Sequence, residues 1–274
     1  MDAIGIEHVN VEKVGVGGRV RYDDVVAVEQ PLEIRVLCDG EDGLGRAISV
    51  TMRTPGHDTE LALGFLFGEG LVSDWRSVRR VRPGGPTGNV LRVELQPGIT
   101  LDLARLQRNF YTSSSCGVCG KASIEAVTSS VLVRRMEPDW TIDGAMLSGL
   151  PDKLRKVQAA FAATGGLHAV GLFTREGDLV ATYEDVGRHN AMDKLVGARL
   201  LADALPLADS IVLLSGRASF ELVQKAGAVG VPLLAAIGAP SSLAIELAEQ
   251  AGMTLVAFLR DGAFNIYTHG TRVR

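Results

Sequence analysis

The chain has 274 residues, of which 46% are hydrophobic and 22% are charged, a composition typical of a soluble globular protein with one large or two moderate cores. The formal net charge of -4 at pH 7 argues against the basic surface that drives nucleic-acid binding. Acidic residues interrupt the N-terminal segment, and no apolar run reaches membrane-spanning length, so the sequence predicts a cytoplasmic protein with neither nucleic-acid nor membrane partners.

Residues 1–111 are predicted to form a smaller N-terminal α+β unit. Alternating and β-branched residues between positions 14 and 50 favour three strands. A helix is expected over residues 58–69, followed by a hairpin with a glycine- and proline-rich turn. His57 precedes this helix, and Cys38 ends a strand. We interpret both as structural residues, since neither has a second ligand at metal-binding spacing.

Residues 112–126 contain two of the three cysteines, Cys116 and Cys119, as a Cys-x-x-Cys pair. A predicted helix start and the nearby Lys121 favour the thiolate form, which is the reactive form of cysteine. Serine and glycine residues surround the pair and leave the backbone free to move. We therefore predict a sulfur-handling loop.

A Cys-x-x-Cys pair also suits a zinc site or a redox dithiol. Zinc needs four ligands, and neither Cys38 nor the five histidines supply a second pair at the required spacing, so two chains would have to share the metal. A zinc deaminase would carry proline before the first cysteine, where this chain has Ser115. A thioredoxin-like pair would follow the first strand of a βαβ unit. Sulfur transfer is favoured, and the zinc and redox alternatives stay open.

Residues 127–274 are predicted to form a layered α/β domain with mostly parallel strands. A polar connector is expected over residues 139–150, followed by a helix over residues 153–163. The side chains expected to face inward from that helix are Leu154, Val157 and Phe161. A β-hairpin then leads into alternating helices and strands, and such alternation indicates parallel neighbours joined by crossover helices.

Polar, glycine-rich loops follow four of the predicted strands, at residues 184–190, 215–219, 238–242 and 260–262. The carboxyl ends of parallel strands meet at one edge of a sheet, so we expect these loops to converge. Helix N-termini and the side chains of Arg188, Arg217 and Arg260 would then suit a phosphorylated ligand. Alternatively, Ser219 and Ser242 are only N-caps and the arginines only surface charges. Neither a Rossmann nor a P-loop fingerprint occurs.

Two histidines in this region are candidate general bases, His168 and His189. The alternative for His189 is that it orients the turn at Glu184 and Asp185. For His168 the alternative is a polar residue at a strand entry.

Six motifs resemble the FdhD family, the formate dehydrogenase accessory sulfurtransferases, and the resemblance runs along almost the whole chain. They lie at residues 29–35, 52–56, 114–121, 184–190, 214–221 and 239–244. The resemblance implies a cytoplasmic homodimer with a core similar to the cytidine deaminase fold. It also implies a sulfur carrier that takes persulfide sulfur from a cysteine desulfurase. The acceptor would be the molybdenum or tungsten bis-molybdopterin guanine dinucleotide cofactor of formate dehydrogenase, held as a substrate, with no tightly held metal of the carrier's own.

Carried over residue by residue, the resemblance makes Cys116 the persulfide-bearing cysteine and Cys119 a helper or second acceptor. The cofactor-binding stretch comprises Phe258, Leu259, Arg260, Asp261, Gly262 and Ala263. The strand-end loops add Ser215, Gly216, Arg217, Ser241 and Arg188. Ala263 stands where a basic residue is common, and His57 where an acidic one is expected. The alternative function is a non-catalytic chaperone that binds the molybdenum cofactor.

Overall fold

The structure is a computed structural model that describes residues 5–41, 43, 45–85, 88–101 and 139–274. Within these ranges the chain forms three β-sheets. The first sheet is an antiparallel hairpin of β1 (Ile6–Gly15) and β2 (Gly18–Ala27). Most of its side chains are exposed, because the hairpin forms a sheet of its own with no third strand paired to it.

The second sheet has four strands and packs against one helix. Its elements are β3 (Gln30–Leu37), β4 (Arg46–Arg53), α1 (Asp58–Gly68), a 3-10 turn at Trp75–Ser77, β5 (Val78–Gly84) and β6 (Val90–Leu95). The strand order is β4-β3-β6-β5. Leu32, Ile34 and Val36 alternate along β3 and share one buried cluster with Leu61 and Leu66 of α1. The predicted strands, helix and hairpin of this unit are confirmed.

The third sheet is the centre of the C-terminal half. Its preceding helices are α2 (Gly144–Ser148), α3 (Leu150–Arg155) and α4 (Ala159–Thr164). Its strands are β7 (His168–Thr174), β8 (Leu179–Asp185), β9 (Ser210–Leu214), β10 (Leu233–Ala236), β11 (Thr254–Arg260) and β12 (Ala263–Thr268). Three longer helices complete the unit, α5 (Arg188–Leu201), α6 (Phe220–Ala228) and α7 (Ser242–Ala251). A last 3-10 turn spans Gly270–Arg272.

This sheet lies between two helical layers. Alternate side chains of β9, such as Val212 and Leu214, share a buried cluster with residues of α5, α6 and α7. The intervening residues, such as Ile211 and Leu213, share another cluster with Leu154 and its neighbours in α2 and α3. The predicted layered α/β domain is therefore confirmed. None of the helices in the described ranges combines the length and apolar character that a membrane crossing needs.

The sheet is mixed, in the order β12-β11-β10-β9-β7-β8. Strands β9, β10 and β11 are parallel neighbours, whereas the pairs β9/β7, β7/β8 and β11/β12 are antiparallel. A short turn joins β7 to β8 and a two-residue turn joins β11 to β12, and such connections allow only antiparallel pairing. The expectation of mostly parallel strands is therefore wrong for the sheet as a whole, in which two of the five neighbouring pairs are parallel, and holds only for the three strands linked by crossover helices.

Two expectations for residues 139–163 are wrong. The supposed polar connector contains α2 and buries Trp140, whose indole N–H donates to the Ala208 carbonyl at 3.1 Å. The expected single helix is two short helices, α3 and α4, and Val157 lies between them with 41% of its surface exposed. Leu154 is buried in the core as expected, whereas Phe161 is only half-buried, against the guanidinium of Arg155.

Helices α1 and α5 join the two halves of the chain at very close range. A Cβ on Gly64 would lie 1.9 Å from the carbonyl oxygen of Asp193, and one on Gly197 would lie 1.9 Å from that of Glu60. Only glycine permits such an approach. The predicted domain boundaries fall within residues 102–138, which lie outside the described residues, so they stay predictions.

Candidate functional site

A cavity of about 530 Å³ lies at the carboxyl ends of β9, β10 and β11. Four of the predicted site residues line it, Ser215 after β9 and Leu259, Arg260 and Asp261 at the end of β11. His168 lines it too, because β7 runs antiparallel to β9 and therefore begins at this edge. The structure confirms the prediction that polar groups lie close together where the parallel strands end.

The loops after β9 and β10 run side by side next to this cavity. Ala218 donates its N–H to the Ala239 carbonyl at 3.1 Å, and Ser241 donates to the Ala218 carbonyl at 3.0 Å. The Gly238 N–H donates to the Gly216 carbonyl at 2.9 Å, and a Cβ on Gly238 would lie 2.9 Å from that oxygen. The loops therefore converge as predicted. Ser241, rather than Ser242, is the N-cap of α7, and its hydroxyl accepts from the Ala244 N–H at 3.3 Å.

The predicted stretch 258–263 forms the tip of the β11/β12 hairpin. Phe258 has a positive φ of 53° at an irregularity in the strand pairing, and its N–H donates to the Gly238 carbonyl at 3.2 Å. The guanidinium of Arg260 lies 5.8 Å from the centre of the Phe258 ring. Asp261 and Gly262, both with positive φ, make the two-residue turn to Ala263. Gly262 and Ala263 are exposed at this tip and do not line the cavity.

Positive charge extends from the cavity to the neighbouring loops. His168 is half-buried, and burial lowers its pKa, with further lowering by the positive charges of Arg188 and Arg217. The Arg188 Nε is buried and has no hydrogen-bond partner in the part of the chain that the structure describes. Arg188, Arg217, Gly216 and Ser241 thus lie beside the cavity without lining it.

His189 lies away from the Glu184 turn that it was suggested to orient. Its Nε2 lies 3.0 Å from a carboxylate oxygen of Glu221 and 3.3 Å from the Ser219 hydroxyl. Burial lowers the pKa of His189 to about 3, and Lys225 and other cationic neighbours add to the shift. The turn-orienting alternative is therefore wrong, and Ser219, although it is the N-cap residue of α6, makes no side-chain cap bond.

The 184–190 motif anchors the C-terminal half to the 52–56 motif of the N-terminal half. Lys194 pairs with Asp185 at 2.7 Å, and both side chains are almost fully buried. Lys194 also donates to the Thr54 carbonyl at 2.9 Å, and Asp185 accepts from the Thr54 N–H at 3.2 Å. Asn190 donates to Asp185 at 3.0 Å and to the Met52 carbonyl at 2.7 Å. Every heteroatom of this buried ion pair has a partner, which is what a buried charge requires.

Glu184 has a separate role at the other side of the cavity. Its two carboxylate oxygens accept from the backbone N–H groups of Ala160, at 3.1 Å, and Phe161, at 2.8 Å. These N–H groups belong to the first turn of α4, where helix donors lack partners of their own. Glu184 therefore fixes the position of the helix that forms one wall of the cavity.

That wall was missed by sequence reasoning. It consists of Pro151, Asp152, Arg155, Gln158, Phe161, Gly165, Gly166 and Leu167. These residues precede β7 in the chain, whereas the site was predicted only from loops that follow strands. Gly165 of this wall ends α4, with a positive φ of 67°.

The cysteines of the 112–126 segment, Cys116 and Cys119, lie outside the described residues. Cys38 is a half-buried free thiol that packs against the core of the second sheet. This position agrees with its interpretation as a structural residue. In the described ranges no group of three or more histidine, cysteine, aspartate or glutamate side chains is placed to hold a metal ion.

Comparison with known proteins identifies relatives along nearly the whole chain. Residues 27–274 match the FdhD/NarQ family. The chain is 48% identical over 267 residues to the sulfur carrier protein FdhD of Mycolicibacterium paratuberculosis, with 94% of each covered. It is 41% identical over 268 residues to that of Sulfolobus acidocaldarius, with 98% of each covered. A crystal structure of a putative formate dehydrogenase accessory protein from Desulfotalea psychrophila is similar, with a TM-score of 0.76 and 26% identity over 98% of this chain and 100% of that chain.

Proposed function

This chain belongs to the FdhD/NarQ family, and we propose that it is a sulfur carrier required for formate dehydrogenase activity. The names of relatives from bacteria and from Sulfolobus acidocaldarius support this role. The observation that carries the substrate half of the proposal is the cavity at the carboxyl ends of β9–β11, where Arg260 and converging backbone loops suit a phosphorylated ligand.

The proposed first step is sulfur uptake by Cys116. Its thiolate attacks the terminal sulfur of a persulfide on a cysteine desulfurase. A new S–S bond forms on Cys116, the S–S bond of the donor breaks, and the donor cysteine leaves as a thiolate. Lys121, five positions along the chain, favours the anion that makes this attack. Cys119 is the helper or second acceptor in this scheme.

The proposed acceptor is bis-molybdopterin guanine dinucleotide carrying molybdenum or tungsten, bound as a substrate before insertion into formate dehydrogenase. Ser215, Leu259, Arg260 and Asp261 line the cavity that takes one nucleotide end. The neighbouring groups proposed to extend this site are Arg188, Gly216, Arg217, Ser241, Phe258, Gly262 and Ala263. The buried, unpartnered Nε of Arg188 is a donor suited to a phosphate oxygen. The partners are a cysteine desulfurase, the catalytic subunit of formate dehydrogenase and a second copy of this chain, all in the cytoplasm.

Intact-protein mass spectrometry after incubation with a cysteine desulfurase and cysteine tests the carrier role. The native chain is expected to gain a reducible one-sulfur adduct, and Cys116→Ser is expected to lose it. Cys38→Ser is the matched control, because that thiol is half-buried at the end of β3 and should load no sulfur. A native chain without an adduct, or an adduct that survives in Cys116→Ser, would refute the assignment.

The cavity also favours a second candidate, a non-catalytic chaperone that binds the same substrate. In the described part of the chain, the residues that line the cavity include no cysteine. A Cys116→Ser/Cys119→Ser double variant separates the two functions. Loss of formate dehydrogenase activation supports the sulfur carrier, and full activation by the double variant supports the chaperone.

A further inference from the structure

The second sheet packs against α1 on one face and carries charged side chains on the other. Alternate residues of β3 are buried in the cluster that it shares with α1, so Glu33 and Arg35 between them lie on the opposite face. Val50 and Met52 of the edge strand β4 lie on that face too, since Val50 pairs with Glu33. Their exposed fractions are 66% and 44%, so this face is open to solvent in the part of the chain that the structure describes.

Three arginines stand side by side across this open face. Arg92 of β6 is the register partner of both Arg35 of β3 and Arg82 of β5. Paired residues of adjacent strands project from the same side of a sheet, and like charges placed opposite each other destabilise it. Arg80, two residues before Arg82 on β5, adds a fourth guanidinium to the same side. We call these four residues the arginine face.

The charge of the arginine face is only partly compensated. Two carboxylates of the same sheet, Glu33 and Glu94, pair with three of the four guanidinium groups. Arg92 has no salt-bridge partner among the described residues, and its buried Nε makes no hydrogen bond to them. The face therefore keeps a net positive charge, although the whole chain has a formal net charge of -4.

We propose that the arginine face docks an acidic surface on the protein that donates sulfur to Cys116. The inference rests on the proposed function, in which the sulfur arrives from a persulfide cysteine of another protein. Arginine next to exposed apolar side chains is a composition typical of protein–protein interfaces. None of the four arginines lines the cavity at the ends of β9, β10 and β11, so the donor and the substrate would contact different residues.

Two other occupants fit the charge of this face less well. In a two-fold symmetric contact, a second copy of this chain would place the arginine face against itself and bring like charges together. A nucleic acid is attracted by proteins with an extended positive field, whereas this chain is acidic overall. An acidic protein surface supplies the missing countercharge, and the attraction would speed the encounter of the two proteins.

Association kinetics between the full chain and a cysteine desulfurase test the inference. Surface plasmon resonance at about 50 mM and about 300 mM salt is expected to show slower association of the native chain at the higher concentration. Arg82→Gln/Arg92→Gln should associate about tenfold more slowly at the lower concentration and lose most of the salt dependence. Arg19→Gln/Arg21→Gln is the matched control, because it removes the same charge from exposed positions of the first hairpin and should associate like the native chain.

Sulfur loading separates the docking surface from the carrier chemistry. Glutathione persulfide supplies sulfur without a docking protein, since the Cys116 thiolate takes its terminal sulfur and glutathione leaves as a thiolate. Arg82→Gln/Arg92→Gln should load from this donor at the native rate, and about tenfold more slowly from a limiting amount of desulfurase. If that variant does not fold, Val50→Glu tests the same face at an exposed position and should slow association and desulfurase-dependent loading in the same way.

Four results would overturn the docking assignment. They are association of the arginine variant at the rate of the control, equally slowed loading from both donors, a smaller oligomer of the variant, and a loss of binding to the catalytic subunit of formate dehydrogenase alone. Normal loading of the native chain from both donors would leave the carrier function standing in each case. A native chain that loads from neither donor would instead refute the carrier function, and the docking step with it.

Discussion

Asp185 and Lys194 show how residues in and next to a sequence motif can serve structure rather than ligand binding. The pair is buried at the contact between the two halves of the chain, and each partner also bonds the backbone of the 52–56 motif. The sequence analysis placed the whole 184–190 loop at the ligand site. Only the long-range contact with Thr54 separates these roles, and a contact between residues 140 positions apart leaves no local sequence signal.

Replacing Lys194 by methionine should destabilise the protein strongly. The change leaves the Asp185 carboxylate buried without its counter-charge, and the expected loss in the free energy of unfolding is about 3–5 kcal/mol. Urea denaturation measures it. Arg19→Met is the control, because Arg19 and its partner Glu12 are exposed on the first hairpin, and this pair should contribute less than about 1 kcal/mol. Similar losses in the two variants would argue against the buried pair as an anchor.

His189 gives the protein a specific pH dependence of stability. Its pKa is about 3 in the folded protein and about 6.5 when exposed, so the unfolded state binds more protons between these values. The free energy of unfolding should therefore fall as pH is lowered from about 6.5, by up to about 1.4 kcal/mol per pH unit from this residue. His189→Gln should remove that component and flatten the decline.

Urea denaturation between pH 4.5 and 7 measures the difference between His189→Gln and the native protein. Burial raises the pKa of Asp193 to about 6, which contributes the opposite slope in both proteins and cancels in the comparison. His8→Gln, at an exposed position of β1, is the control and should keep the native slope. An unchanged slope in His189→Gln would contradict the buried neutral state.

At the scale of elements, local patterns predicted most strands and helices of this fold, and non-local contacts account for the failures. Strand β12 was missed although Asp261-Gly262 is a strong signal for a two-residue hairpin turn, because the pair had been assigned only to a ligand loop. The break between α3 and α4 had no such signal. The break depends on Glu184 of β8, whose carboxylate accepts hydrogen bonds from the first backbone N–H groups of α4.

The contact of α1 with α5 should be very sensitive to side-chain size. Gly64→Ala would place a methyl group 1.9 Å from a backbone oxygen, so the helices must separate, at an expected cost of about 1–3 kcal/mol or more. Thermal or urea unfolding measures this cost. Gly149→Ala is the control, because Gly149 has helical φ and ψ and its Cβ would make only ordinary contacts at 3.5 Å. A tolerated Gly64→Ala would disprove the close packing of the two helices.

At the scale of the whole molecule, the proposed sulfur chemistry and the proposed substrate binding fall on separate parts of the sequence. Among the described residues, those that line the cavity all follow position 150, and the proposed carrier cysteine precedes them in the sequence, at position 116. The edge of the sheet was predictable because strand-end loops of parallel strands must converge. The wall that precedes β7 was not, since α3 reaches the cavity through packing on one face of the sheet and α4 is held there by Glu184.

This separation predicts two variants with complementary defects. Arg260→Ala should load sulfur on Cys116 like the native chain but bind GDP about tenfold to a hundredfold more weakly, because it loses a charge-assisted contact of about 1.5–3 kcal/mol to phosphate. Cys116→Ser should bind GDP normally and load no sulfur. Mass spectrometry and calorimetry on both proteins measure the two activities. If either substitution abolished both activities in a protein that remains folded, carrier and binding site would form one unit, and the division of labour proposed for this chain would be wrong.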